Sequence, residues 1–143
     1  MLSTRTQKNI KNYKKHKQTI GDTSCVFCLS KKGDESYVSS TKSFKILRNI
    51  FPYSTWDLQN VTDHLMIIPK KHTDTLNDLT THEAIEYVNL LGSYESRGYN
   101  VYARSPGSGM KTVIHQHTHL IKTEGTVKRL LIYSKNSNRA IIV

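Results

Sequence analysis

The stretch Val113-Ile114-His115-Gln116-His117-Thr118-His119-Leu120-Ile121 places a histidine at every second position between apolar residues. Successive side chains of a β-strand point to opposite faces, so His115, His117 and His119 would share one face, spaced by roughly 6–7 Å. Imidazoles titrate near neutral pH, so such a row can attack an electrophile, shuttle protons or bind metal. Two histidines at i and i+2 can hold one zinc ion. Neutral imidazole also attacks phosphorus and gives a labile phosphoramidate, which splits one hard displacement into two easier ones. A purely structural role leaves the strict alternation unexplained.

Cys25-Val26-Phe27-Cys28 is the second constellation. The two cysteines are too close to close a loop as a disulfide staple, and they fit a reducing, cytoplasmic compartment. A redox pair of the thioredoxin kind needs a strand-to-helix setting within a βαβ unit, which this sequence lacks. Zinc needs four ligands, and histidines elsewhere in the chain are the natural supply for the other two. Two buried free thiols remain the alternative.

The elements that must position these groups are readable in part. Tyr37-Val38 and Phe44 to Leu47 are short strand candidates. His64-Leu65-Met66-Ile67-Ile68 is a strongly apolar run that reads as a central strand, stopped by Pro69. Thr80 and Glu83 fit a capping box. Ala84, Tyr87, Val88, Leu91 and Tyr94 then recur at helical spacing, so a helix is expected from Thr80 to Arg97, ended by Gly98. Tyr99 to Ala103 reads as a strand. The turn Ser105-Pro106-Gly107-Ser108-Gly109 would join it to the histidine strand as an antiparallel hairpin. Leu130 to Tyr133 and Ala140 to Val143 are weaker apolar runs. Several strands with one good helix indicate an α+β domain.

The chain has 143 residues, suited to one domain, and a formal net charge of +10. Residues 1–20 hold six Lys/Arg and no acid, which leaves the remainder near +4. We read 1–20 as a solvated basic tail and 21–143 as a single domain, with Gly21-Asp22-Thr23 at its start. A basic chain favours anionic partners such as nucleotides or nucleic acid. No apolar run has the length to span a membrane, and the N-terminus lacks the apolar core of a secretory signal, so no membrane partner is expected.

His115-Gln116-His117-Thr118-His119-Leu120-Ile121 resembles the signature of the histidine-triad (HIT) family of nucleotide hydrolases and transferases. His64-Leu65-Met66-Ile67-Ile68-Pro69-Lys70-Lys71-His72 resembles that family's strand-Pro-Lys-x-His segment. Asn49 before Phe51-Pro52 stands where members carry an acidic or amide residue that binds ribose. The resemblance covers roughly residues 25–122. It implies a small antiparallel β-sheet flanked by helices, and a homodimer in which Leu91 and Tyr94 reach the partner. It implies a purine nucleotide or dinucleotide substrate, of dinucleoside polyphosphate or nucleoside phosphoramidate type. His117 would be the nucleophile that takes up the α-phosphate as a nucleotidyl-histidine, and His119 a hydrogen-bond donor to that phosphate. Asn49 would contact the ribose, and Lys111 and Thr112 the departing phosphate. Phe44, Ile46 and Leu47 would help line the base cleft.

A subset of the family binds structural zinc through a Cys-x-x-Cys pair and two histidines. Carried over, the ligands are Cys25, Cys28, His72 and His115. No function is assigned to His16, His64 or His82.

The sequence also departs from the pattern. Gln116 replaces an apolar residue, Met110-Lys111 a Gly-Gln pair, and Arg104 an asparagine. Lys111 and Arg104 add positive charge where the outgoing group should lie, which suggests a leaving group more anionic than a simple amine. The competing expectation is a protein that binds or processes adenylylated nucleic-acid ends, its basic tail engaging the polymer. Tyr13 is the tail's one stacking aromatic, which argues against sequence-specific RNA reading.

Overall fold

The computed structural model describes residues 25–125 and, within the first fifteen, residues 3–5, 8, 10–12 and 15. The expected domain start at 21–23 and the runs at 130–133 and 140–143 lie outside the described residues.

The described strands are β1 (Ser3–Thr4), β2 (Tyr37–Ser40), β3 (Phe44–Arg48), β4 (Thr55–Trp56), β5 (Gln59–Pro69), β6 (Tyr99–Ala103) and β7 (Thr118–Glu124). The two α-helices that frame the site are α1 (Val26–Leu29) and α2 (Thr81–Glu95). All described strand pairs are antiparallel. The sheet runs β2-β3-β5-β7-β6, with β4 pairing the start of β5 and β1 pairing β4. The fold is α+β, as the pattern of elements predicts.

The central strand is longer than its apolar run. It begins at Gln59, passes an irregularity between Val61 and Asp63, and ends at Pro69, paired with Phe44. Its unbroken run has a simple cause: both faces of the sheet are covered. Phe44, Ile46, Leu65, Ile67 and Leu120 face α2 and pack with Tyr87, Tyr94 and Tyr99. The alternate residues Leu47, Met66 and Ile68 pack on the other side with Phe27 of α1. Tyr53, Trp56 and Ile121 extend that second side.

The helix carries the predicted capping box, the Thr80 side chain accepting from the Glu83 N–H and the Glu83 carboxylate accepting from the Thr80 N–H. Gly98 follows it at φ +83. Its buried face differs from the sequence expectation. Tyr87 and Tyr94 are buried and Leu90 and Leu91 pack beside them, but Val88 is 63% exposed. Tyr94 turns inward against Tyr99 and does not reach outward to a partner.

Two further corrections concern the ends of the site. The N-terminal segment is not wholly a solvated tail, because Ser3–Thr4 adds a strand to β4 and Arg5 is half-buried. Its guanidinium lies 4.7 Å from the Tyr53 ring centre and its Nε–H donates to the Phe51 carbonyl at 3.0 Å. The histidine row is not one strand. β6 and β7 do pair, but the connection runs from Arg104 to His117, and β7 starts only at Thr118.

One cation ties α1 to the sheet. Lys45, on the same side of β3 as Leu47, donates its Nζ to the carbonyls of Phe27 at 3.0 Å, Cys28 at 3.5 Å and Ser30 at 2.7 Å. These are carbonyls a helix end leaves without internal partners. Lys45→Met should therefore destabilise the fold by about 1–3 kcal/mol and speed alkylation of Cys28 in the native protein. Urea unfolding and timed thiol labelling check this; no change in either would show that Lys45 does not hold the segment.

Candidate functional site

The register of β5 against β7 builds the first half of the site. His64 lies opposite Ile121 and Met66 opposite His119, so His64 and His119 are diagonal neighbours on the face away from α2. Their rings meet, His64 Nε2 to His119 Nδ1 at 2.9 Å. The backbone N–H of Tyr53 donates to His64 Nδ1 at 3.2 Å. That fixed donor makes Nδ1 an acceptor and puts the proton of neutral His64 on Nε2. His64 then donates to His119 Nδ1, and His119 presents Nε2–H outward. Sequence reasoning passed over His64, because its partner is 55 positions away and only the strand register joins them.

Asn49 packs beside this pair. Its Oδ1 accepts from the Phe51 N–H at 2.9 Å, which turns Nδ2 to within 3.2 Å of the His64 ring. It is buried, and its own backbone N–H donates to the His64 carbonyl at 2.8 Å. Phe44 and Ile46, expected near a base cleft, instead face α2 on the opposite side of the sheet, and only Leu47 shares the histidine side.

His117 lies next to this pair, its ring centre 5.0 Å from that of His119 in an edge-on contact. Its Nδ1 is 2.8 Å from the backbone carbonyl of His115. A carbonyl only accepts, so Nδ1 carries the proton and the Nε2 lone pair is left for chemistry. The Phe27 ring stands 5.1 Å from the His117 ring. Burial holds all of these imidazoles neutral. His117 falls below its ordinary value through desolvation, with Lys111 and Arg104 adding to the effect. Burial brings His64 down to about 4 and His119 to about 2, with their charged neighbours acting in the same direction on balance.

The second half of the site is a ligand quartet. Cys28 Sγ lies 3.2 Å from His72 Nδ1 and 3.5 Å from His115 Nδ1, and Cys25 Sγ lies 3.3 Å from His115 Nδ1. The four ligand atoms all fall within 4.8 Å of one another, and both cysteines are free of disulfides. In a tetrahedral zinc site the sulfur-to-nitrogen edges are about 3.5 Å, from bonds of about 2.3 and 2.05 Å. His115 Nε2 is 3.0 Å from the Pro69 carbonyl, so it holds the proton and Nδ1 offers its lone pair to the quartet. These residues could hold a metal ion, and their donor set suits zinc.

Lys111 and Thr112 fall on the connection before His117. Thr112 is exposed. Lys111 Nζ donates to the Gln116 Oε1 at 2.8 Å and to the Asp74 carbonyl at 2.9 Å. The Arg104 guanidinium lies 5.2 Å from the Tyr102 ring, which stacks 6.0 Å from His119.

Comparison with known proteins agrees with this geometry. Residues 30–126 match the HIT domain. The chain is 29% identical over 118 residues to the adenosine 5'-monophosphoramidase HNT1 of Candida albicans, covering 72% of this chain and 74% of that one. A crystal structure of a HIT family hydrolase from Legionella pneumophila superposes with a TM-score of 0.54 at 26% identity, over 71% of this chain and 95% of that one. A Zn-bound histidine triad family protein from Mycobacterium smegmatis shares the fold, with a TM-score of 0.54 at 23% identity and 84% of each chain covered. A buried histidine relay beside a free imidazole, on a sheet of this topology, thus comes with a match over two-thirds of the sequence: the chain belongs to the HIT domain family.

Proposed function

We propose that this protein hydrolyses nucleotides at the α-phosphate through a nucleotidyl-histidine formed on His117. The observation that carries this reading is the tautomer lock: the His115 carbonyl holds the proton on His117 Nδ1 and frees Nε2. The Nε2 lone pair attacks phosphorus, an Nε2–P bond forms, and the bond to the leaving group breaks with its electron pair on the departing atom. The modified ring is cationic, and its Nδ1–H still donates to the same carbonyl. Water then attacks phosphorus, the P–Nε2 bond breaks, and a nucleoside monophosphate leaves. His119 donates its Nε2–H to a phosphoryl oxygen, held in that tautomer by His64. Asn49 contacts the ribose, and Lys111 and Thr112 the phosphate and the outgoing group. The phosphoramidase activity named for the Candida albicans relative fits the same chemistry.

We further infer that Cys25, Cys28, His72 and His115 hold one structural zinc, which when bound fixes His115 and with it the carbonyl that orients His117. A homodimer is the third part of the reading. β6 pairs only with β7 among the described strands, and Val101 on it is 43% exposed. Ile85 and Val88 on α2 are also exposed, and a second copy would cover this face. The described part of the chain has no helix long and apolar enough to cross a membrane.

Incubation with an adenosine nucleotide labelled at the α-phosphate, followed by a rapid quench, should trap an acid-labile protein adduct and release AMP. His117→Ala should lose the adduct and lower turnover by roughly 10³-fold or more, as removal of a nucleophile does. Binding without adduct or turnover in the wild-type protein would sink the reading.

Metal analysis of freshly purified protein should give one zinc per chain, and Cys28→Ser should lose it and lower the melting temperature. A metal-free preparation whose cysteines alkylate readily in the native state would refute the zinc site.

The neutral relay also sets a pH dependence. Folded values of about 4 for His64 and about 2 for His119 lie below the ordinary 6.5, so the unfolded chain takes up protons first as pH falls. The stability held by the neutral pair is complete above about pH 6.5 and drains away below it, by roughly 2 kcal/mol per histidine by pH 5. Urea midpoints should fall from pH 7.5 to pH 5, and His64→Asn should flatten that slope. An equal slope in the variant would contradict the assignment.

A further inference from the structure

Gln116 sits between a metal-site histidine and the proposed nucleophile, and it is 3% exposed. A buried amide must have partners. Its backbone N–H donates to the Thr73 carbonyl at 2.6 Å, next to His72. Its side-chain oxygen accepts from Lys111 Nζ at 2.8 Å. The same ammonium donates to the Asp74 carbonyl at 2.9 Å, and the Lys111 N–H closes a turn on the Ser108 carbonyl at 2.8 Å. Two of the three Nζ donors are therefore fixed, among the described residues, by neutral oxygens. Neither is a carboxylate; no ion pair of Lys111 is found among the described residues. A half-buried ammonium held by an amide and a carbonyl keeps its charge and one donor for an anion. The exposed carboxylate of Asp74 acts on it through space, and its own field reaches His117.

We infer that Lys111, held in place by Gln116, selects substrates whose leaving group carries negative charge, with Gln116 as its positioning residue. This rests on the hydrolase reading and deepens it. The departing phosphate of a polyphosphate gains charge as its bond to phosphorus breaks, so a preplaced ammonium stabilises that leaving group more than it does an amine. A fixed cation serves better than a free surface lysine, because its ordering is complete before the substrate arrives. Gln116 supplies that ordering: without its oxygen the ammonium keeps one anchor, and without the ammonium the buried oxygen is left unpaired.

The test is the ratio of kcat/KM for diadenosine tetraphosphate over that for adenosine 5'-phosphoramidate. Lys111→Met should lower this ratio about tenfold, the size of one well-placed charge contact. Gln116→Leu should lower it in the same direction by less, and the double variant should do no more than Lys111→Met alone, because the two act as one unit. Gln116→Glu keeps the shape and pairs the ammonium with a carboxylate, so it too should lower the ratio. A merely structural role would lower both rates together and leave the ratio alone. An unchanged ratio in Lys111→Met, or full additivity in the double variant, overturns the proposal. If the wild-type protein turns over neither substrate, the hydrolase reading falls. The selectivity is then decided by calorimetric affinities for ADP and AMP, where Lys111→Met should reduce the preference for ADP and an unchanged preference overturns it.

Discussion

The pairing of β5 with β7 is the constraint on which the rest of the structure depends. It sets Met66 opposite His119 and Ile67 opposite Thr118, and through them decides which side chains share a face. A slip of one residue would send His119 to the α2 side and Leu120 to the other. The core forbids that slip. Leu65, Ile67 and Leu120 are sealed under α2, while Met66, Ile68 and Ile121 are sealed on the opposite side. The hydrogen bond between His64 and His119 is thus a by-product of hydrophobic burial on two faces at once. Packing energy holds the geometry that the imidazoles need.

Burial then decides the charge of those imidazoles. A cluster of histidines with acids beside it would be protonated and poor at attack. Here the acid next to His64 in the chain, Asp63, pulls that imidazole upward, but burial and Arg5 outweigh it. Its carboxylate takes hydrogen bonds from the Arg48 guanidinium and the Tyr99 hydroxyl, both at 2.6 Å. Burial first, and then this carboxylate, raise Tyr99 to about 12. What faces the histidines instead is positive: Arg5 acts on His64 and His119, and Arg104 on His117 and His119. Neutral imidazoles in a positive surround are suited to an anionic electrophile. A positive surround attracts anions, and the same charges keep the imidazoles unprotonated.

Much of this was legible in the sequence, where the cause is local. The capping box at Thr80, the strand ended by Pro69 and the glycine after α2 all rest on interactions within a few residues. The triad and the cysteine pair were legible because few other roles use those residue types at those spacings. What failed was whatever depends on register or on a distant partner. His64 looked like an ordinary strand residue because its relay runs through Tyr53 and His119. Val88 fits the apolar stripe of α2 as well as Leu90 does, and only the position of the sheet decides which is buried. The family resemblance places Phe44 and Ile46 near a base, and strand parity puts them under the helix. The short pairing of Ser3–Thr4 with β4 has no local signal at all.

The break in the histidine strand is the clearest case of tertiary structure overriding a local pattern. In a continuous strand, the carbonyl of His115 would be committed to the neighbouring strand's ladder. Instead the chain leaves the sheet before Thr118, because the Gln116 N–H is taken by the Thr73 carbonyl. That departure frees the His115 carbonyl, and His117 folds its Nδ1 back onto it. It also lets His115 turn its own Nδ1 toward the two cysteines while Nε2 is anchored on Pro69. Alternation in the sequence puts the three histidines within reach of one site, but equal placement on a strand would have given them equal roles. The irregular segment gives them different ones: one imidazole joins His72 and the two cysteines, one keeps a free lone pair, and only His119, the one inside the ladder, is held by its register.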